Sequence, residues 1–160
     1  MLEYSIRNAR RPDAESIGAM WYLLMEHHHT LDIRFHYSQK GQKEYIHHVQ
    51  QMIRARDALV LVAEEVSTKK VVGYLIGELQ QRTLAVNTGT YGFISDMFVE
   101  AEYRRKGLGN QLYHEMYRWF TMRGACAIEL YVAVANADSQ AFWSAMGLHP
   151  FLTLCHKDLP

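Results

Sequence analysis

The stretch Tyr91-Gly92-Phe93-Ile94-Ser95-Asp96-Met97-Phe98-Val99, followed by Glu100-Ala101-Glu102-Tyr103 and then Arg104-Arg105-Lys106-Gly107-Leu108-Gly109, decides the fold. Its first nine residues are almost continuously apolar, as in a strand covered on both faces. Beyond it Leu108, Leu112, Met116, Trp119 and Phe120 recur at helical spacing, so a helix runs to about Arg123. At the joint two glycines let the backbone approach a ligand, and the first N–H groups of the helix have no acceptor within it. The helix dipole and the cations Arg104, Arg105 and Lys106 both favour a phosphate or pyrophosphate there. A solvated helix cap accounts for the same six residues taken alone. Other phosphate loops do not fit: GxxxxGK[ST] is absent, and a dinucleotide fingerprint needs a third glycine where Leu112 stands.

Working outward toward the N-terminus, Ala58 to Val66 and Val71 to Leu79 are strand-like runs joined by Ser67-Thr68-Lys69-Lys70, a hairpin. Tyr4 to Ala9 alternates as a short strand, and Arg11-Pro12-Asp13 then starts a helix. The apolar positions Ile17, Met20, Trp21, Leu24 and Met25 carry that helix to about His27. A second helix is expected from Gly41 to about Arg56, with Tyr45, Ile46, Val49, Met52 and Ile53 as its stripe. Between them His27 to Lys40 reads as a long irregular connection of the kind that carries function. On the other side, Gly124 ends the helix, and Ala127 to Val134 is a strand. Asp138 to Met146 is a short helix stopped by Gly147, and Phe151 to His156 is a final strand. The order βααβββαβαβ is a mixed α/β architecture in one domain spanning 1–160.

Composition narrows the function. The chain has 160 residues with 49% apolar and 21% charged, a globular composition. Lysine plus arginine and aspartate plus glutamate balance at 17 each, which disfavours nucleic-acid binding driven by bulk charge and leaves the nine histidines to set the net charge near pH 6 to 7. No apolar run reaches membrane-spanning length and Met1 to Arg11 lacks the pattern of a signal peptide, so a cytoplasmic protein is expected. Cys126 and Cys155 have no metal spacing and are expected as buried free thiols.

Arg104-x-x-Gly107-x-Gly109 after a strand ending in Phe98-Val99 resembles the acyl-CoA signature of the GNAT N-acetyltransferases. Asn136, then Ala141-Phe142-Trp143, then Gly147-Leu148 resembles the closing segment of that superfamily. The element order also fits, so the resemblance covers nearly the whole chain. It implies a GNAT fold, with a mixed sheet of six to seven strands flanked by about four helices, and acetyl-CoA as co-substrate. It further implies that Met97, Phe98 and Val99 offer their backbone to the pantetheine arm. The pyrophosphate would lie on the amides of Arg105, Lys106, Gly107, Leu108, Gly109 and Asn110, with the cations beside it, Arg104 included. Asn136 would meet the pantetheine or thioester end, or simply cap the helix that follows.

The implied reaction is attack of a neutral amine on the acetyl thioester, with both substrates held in one complex. Asp96 is the candidate base, because Ser95-Asp96-Met97-Phe98-Val99 resembles the Glu-Asp-x-x-Val variant of diamine acetyltransferases. Binding the substrate ammonium, or serving as a structural partner, accounts for the same carboxylate equally well. The N–H of Phe98 or Met97 would stabilise the oxyanion. Trp143 stands where the superfamily usually has a tyrosine acid; an indole can donate a hydrogen bond to the sulfur but cannot surrender a proton near neutral pH. Tyr131 is a substitute acid or an aromatic on a strand face.

The acceptor would meet the first two helices and their connection. There Tyr22, Glu26, Asp32 and Tyr37, with Ser95 and Asp96, suit a cationic amine through ion pairing and cation–π contact. Glu44, His47, His48 and Gln51 could line the other wall. His27, His28 and His29 point in different directions on a helix, so no metal site is expected and a solvated, pH-sensitive surface is. The leading reading is an acetyl-CoA-dependent N-acetyltransferase of a small primary amine, polyamine-, amino-acid- or aminoglycoside-like. The alternatives are a protein N-terminal or lysine acetyltransferase and a non-catalytic acyl-CoA sensor. A homodimer is expected from the edge strands.

Overall fold

The computed structural model describes residues 3–82 and 89–158. Strand β1 (Tyr4–Asn8) leads to helix α1 (Asp13–Leu31) and helix α2 (Gln39–Met52), then strands β2 (Ala58–Glu65), β3 (Val71–Gln81) and β4 (Thr90–Val99). Helix α3 (Leu108–Met122), strand β5 (Ile128–Leu130) and helix α4 (Ala137–Ala145) complete it, with a single 3-10 turn at Ala101–Tyr103. The strands form one sheet in the order β1-β2-β3-β4-β5, antiparallel except for the parallel pair β4–β5.

Two apolar layers sandwich the sheet. On one face α3 packs Leu112, Met116 and Phe120 against Leu61, Leu75 and Ile94. On the other, α1 and α2 pack Ile17, Met20 and Val49 against Val60, Val62, Tyr74, Ile76 and Phe98. Glycines set how closely α3 approaches: a Cβ on Gly92 would lie 2.5 Å from the Phe120 ring, and one on Gly77 2.6 Å from Met116 Sδ. Arg7 of β1 ties the layers together with hydrogen bonds to Asp13 in the first turn of α1 and to Glu64 of β2.

Several boundaries differ from expectation. Helix α1 continues through the histidines to Leu31, with the Asp32 N–H closing onto the His28 carbonyl. Nothing in His27–Leu31 breaks a helix, so the irregular connection shrinks to 32–38. Helix α2 starts earlier than Gly41, because Ser38 Oγ accepts the Gly41 N–H at 3.0 Å as an N-cap. The strand expected over Ala127–Val134 is only Ile128–Leu130.

The final strand expected at Phe151–His156 does not form: the segment has no strand pairing, and Phe151, Leu152 and Leu154 are exposed. Alternating apolar residues propose a strand, but only pairing with a neighbouring strand makes one. Five strands are therefore present among the described residues, not six to seven. The cysteines are exposed rather than buried, since Cys126 sits in the turn before β5 and Cys155 on the unpaired tail. Within the polar connection Gln80–Thr90, residues 83–88 lie outside the described ones. No helix among the described residues is long and apolar enough to cross a membrane.

Candidate active site

Two irregularities in β4 build the site. The first is a bulge: Ile94 pairs with Gly77 and Asp96 with Ile76, so Ser95 is an extra residue without a partner on β3. A bulge reverses the alternation of side chains beyond it. Ile94 packs toward α3, as do Met97 and Val99. Phe98 faces α1 and α2, and Asp96, two residues before it, shares that face. Without the extra residue Asp96 would point into the α3 layer with Ile94. The second irregularity is a parting of strands, because β5 pairs with β4 only at Gly92, Phe93 and Ile94. Past Ile94 the edge of β4 that faces β5 has no strand partner among the described residues, so the backbone of Ser95–Val99 is open on that side.

Asp96 is half-buried, and Tyr45 of α2 donates a hydrogen bond from its phenol to Asp96 Oδ2 at 2.9 Å. Tyr45 is held in turn by Trp21 of α1, stacked on it with ring centroids 4.6 Å apart and 14° between planes. Burial pushes the Asp96 carboxyl up to about 6, partly opposed by the Tyr45 hydrogen bond, which favours the ionised form. No cation pairs with Asp96 among the described residues. Close by, Tyr74 of β3 is 0% exposed, and its hydroxyl, beside the Tyr45 phenol, makes no hydrogen bond of normal geometry among the described residues. Its phenol is pushed well above its ordinary range by burial and by the nearby Asp96 charge.

The loop after β4 has the backbone of an anion cradle. Arg105 (φ 62) and Gly107 (φ 79) are both left-handed, and Gly107 caps α3 without a side-chain hydrogen bond. The N–H groups of Leu108, Gly109 and Asn110 in the first turn of α3 are thus left without intrahelical acceptors. The three cations of the loop differ in what they already hold. Arg104 Nε donates to the Val99 carbonyl at 2.8 Å, binding the loop back to β4. Lys106 Nζ donates to the Tyr4 hydroxyl at 3.0 Å and lies between the Tyr4 and Tyr103 rings. Arg105 makes no ion pair among the described residues and is exposed.

The closing segment docks on this loop. A Cβ on Gly109 would lie 3.1 Å from Phe142 Cε2 and 3.7 Å from Met97 Cε, so strand end, helix start and α4 converge at that glycine. Trp143, 7% exposed, packs edge-to-face on Tyr113 and Phe142 within the α3 layer. Asn136 caps α4, its Oδ1 accepting the Ser139 N–H at 3.1 Å. Tyr131 is 81% exposed and lies edge-on to Phe93.

The other residues singled out in the sequence are scattered. Tyr22 and Tyr37 meet edge-to-face at 5.1 Å, joining α1 to the connection. Glu26 is exposed on α1, and Ser95 is exposed on β4. Asp32 is held by the guanidinium of Arg34, which keeps its carboxyl below the usual range. Tyr45 and Tyr74 were missed as site residues. Tyr45 reads as part of the apolar stripe of α2. The only signal for Tyr74 is one phenol in the otherwise aliphatic run Val71-Val72-Gly73-Tyr74-Leu75-Ile76.

Known proteins share this fold. A mutant of the BH1408 protein from Bacillus halodurans superposes with TM-score 0.88 at 22% identity, covering 98% of this chain and 99% of that one. The aminoglycoside 6'-N-acetyltransferase AAC(6')-Ih from Acinetobacter baumannii superposes with TM-score 0.76 at 19% identity, covering 98% and 99%. Aminoglycoside N-acetyltransferase AAC(6')-Iy, solved with CoA, gives TM-score 0.75 at 15% identity, covering 98% and 94%. At these identities the superpositions show the shared fold. No curated protein matches the chain by sequence. Residues 21–148 match the acetyltransferase (GNAT) family, whose acyl donor is acetyl-CoA; the chain belongs to that family.

Proposed function

We propose that the protein is an N-acetyltransferase that moves the acetyl group of acetyl-CoA to a primary amine of a small molecule. The observation that carries this reading is Asp96, a half-buried carboxyl without a cation partner among the described residues, standing where β4 parts from β5 and three residues before the strand end that leads into the anion cradle. Two of the structural neighbours are aminoglycoside acetyltransferases by name, which supports an amino sugar among the acceptors to try first.

In this reading the pyrophosphate lies on the N–H groups of Arg105 to Asn110, Arg105 supplies the free positive charge, and Lys106 contributes once it leaves Tyr4. The open edge of Met97, Phe98 and Val99 receives the pantetheine arm. Asp96 takes a proton from the acceptor ammonium, and the freed nitrogen lone pair forms a C–N bond to the thioester carbonyl carbon. The carbonyl π electrons move to oxygen, where a β4 N–H of Met97 or Phe98 stabilises them. Collapse of that intermediate breaks the C–S bond, and the nitrogen gives its second proton to water as the amide forms. CoA leaves as thiolate, which a thiol of pKa about 8.5 permits, and is protonated from solvent, while Asp96 returns its proton to water. Trp143 then acts as a packed wall beside the cleft, and Tyr131 as an aromatic rim. Tyr22 and Tyr37 supply the rest of the acceptor surface, with Glu26 as its free carboxylate. The open edge of β5 and the exposed Phe151, Leu152 and Leu154 support association of two copies, which sedimentation would measure.

The test is thiol release from acetyl-CoA with a diamine, an amino acid and an amino sugar as acceptors, comparing wild type with Asp96→Asn. Turnover with at least one amine is expected, falling by about 100-fold or more in the variant, while calorimetry finds acetyl-CoA bound equally by both. Full activity in the variant refutes Asp96 as the base. Tight binding with no thiol release for any amine makes the chain a sensor.

A further inference from the structure

The Asp96 pocket contains more hydrogen-bonding capacity than the structure uses. Tyr45 reaches Asp96 from α2, 51 residues away in sequence, and its phenol has one proton, which goes to Oδ2 at 2.9 Å. Tyr74, whose phenol lies beside that of Tyr45, keeps a hydroxyl fully inside the protein with no hydrogen bond of normal geometry among the described residues. Burying an unpaired hydroxyl is costly, and a phenylalanine would fill the same space in that layer without the cost. An orphan of this kind beside a carboxyl is accounted for if the carboxyl changes state, because an ionised carboxylate has lone pairs for several donors and a protonated one has fewer.

We propose that Tyr45 and Tyr74 are positioning residues for Asp96: Tyr45 orients the carboxyl in both of its states, and Tyr74 completes its hydrogen bonding only when it is ionised. The groups facing Asp96 are few. Helix α2 contributes Tyr45, with His48 beside it at a ring separation of 6.0 Å, and β3 contributes Tyr74. Helix α1 contributes only the uncharged Trp21 behind Tyr45, and Ser95 turns its hydroxyl toward the Ile76 carbonyl. No lysine or arginine hydrogen-bonds or ion-pairs with the carboxyl among the described residues. One neutral donor in place, and a second that joins on ionisation, therefore replace a cation. They favour the ionised form enough for Asp96 to accept a proton near neutral pH, without fixing it as a permanent anion the way an arginine would.

The proposal rests on Asp96 as the group that takes the proton, but its test does not need catalysis. Carbon NMR of protein labelled at the aspartate carboxyls, without donor or acceptor present and with Asp96→Asn for assignment, reads the Asp96 midpoint directly. Tyr45→Phe is expected to move it upward by about one unit or more, since a hydrogen bond to the charged form is lost. Tyr74→Phe is expected to move it upward by less. In a thiol-release assay the acid limb should follow each shift, with the loss at pH 7 recovered at higher pH. Fluorotyrosine at position 45, the same size and a stronger donor, should move the midpoint down, which keeps the test alive if the phenylalanine variant does not fold. A midpoint unmoved by either change at position 45 overturns the proposal. A Tyr74→Phe protein that melts higher with the Asp96 midpoint unchanged overturns the part assigned to Tyr74. If the midpoints shift as expected and Asp96→Asn keeps full turnover, the positioning stands and Asp96 as base falls.

Discussion

Asp96 in β4 and Asp32 at the end of α1 are both carboxylates read from the sequence as acceptor ligands, and the structure gives them opposite company. Asp32 meets a guanidinium two residues along, and that contact holds it ionised and occupied. Asp96 meets a phenol from another helix, is raised to about 6, and keeps its charge available. A cation partner makes a carboxylate a strut, while neutral donors in a dry setting leave it able to exchange a proton. The partner decides the role more than the carboxylate does.

The largest effect that bears on this contrast comes from the bulge. Deleting Ser95 restores regular alternation across β4, so that either Asp96 turns into the α3 layer or Ile94 turns out of it. A buried unpaired carboxyl or a lost core isoleucine costs about 3 kcal/mol or more. Denaturant unfolding should show that loss, and thiol release should vanish even in protein that remains folded.

Next in size is Asp96→Asn, which should separate activity from stability. The carboxyl is raised in the folded state, so its contribution to stability is complete below about pH 4 and is lost as pH rises through about 6. The neutral amide escapes that loss, so the variant should be about 3 kcal/mol more stable than wild type at pH 8 and no more stable at pH 4. Equal stability of the two proteins at pH 8 would show that Asp96 ionises as freely as an exposed aspartate.

The contrast between these carboxylates also marks how far the sequence could be read. The anion loop was legible because its parts are adjacent: glycines, cations and helix start lie within Arg104–Gly109, and each acts through groups inside that stretch. The order of elements from β1 to α4 was legible from periodicity for the same local reason. Asp96 was legible as a candidate, but Tyr45 was not, because α2 presents it on the stripe that also buries Val49 and Met52. Tyr74 was hidden by the aliphatic strand around it. The bulge has no signature in Ile94-Ser95-Asp96, since its cause is the pairing with β3. The tail strand failed in the opposite sense, because Phe151 to His156 carries a strand-like pattern and pairs with no strand of the sheet.

A smaller effect is expected at the loop. Arg105 is exposed and free of ion pairs among the described residues, whereas the Lys106 ammonium is already engaged by Tyr4. Arg105→Ala should therefore weaken acetyl-CoA binding by about tenfold, the worth of one good charge-assisted contact. Lys106→Ala should weaken it less, because freeing that ammonium from Tyr4 and its two flanking rings offsets part of the gain. Calorimetry at two salt concentrations checks both, and the Arg105 variant should show the weaker salt dependence.

The smallest effect belongs to Asp32, and its size matters to the argument. If proximity to the acceptor were enough, Asp32→Asn would raise the acceptor KM much as the loss of any anionic ligand does. The structure instead has Arg34 holding both carboxylate oxygens of Asp32 by Nε and Nη2, at an exposed site where an ion pair contributes little. A cationic acceptor would have to compete with an intramolecular cation two residues away. Asp32→Asn should therefore change the acceptor KM by less than about twofold, while Arg34→Ala, which releases the carboxylate, should lower the KM of a polycationic amine more than that of a monoamine. A KM raised as strongly by Asp32→Asn as by substitutions around Asp96 would mean that Arg34 gives way when the acceptor arrives, and the two carboxylates would then differ in position only.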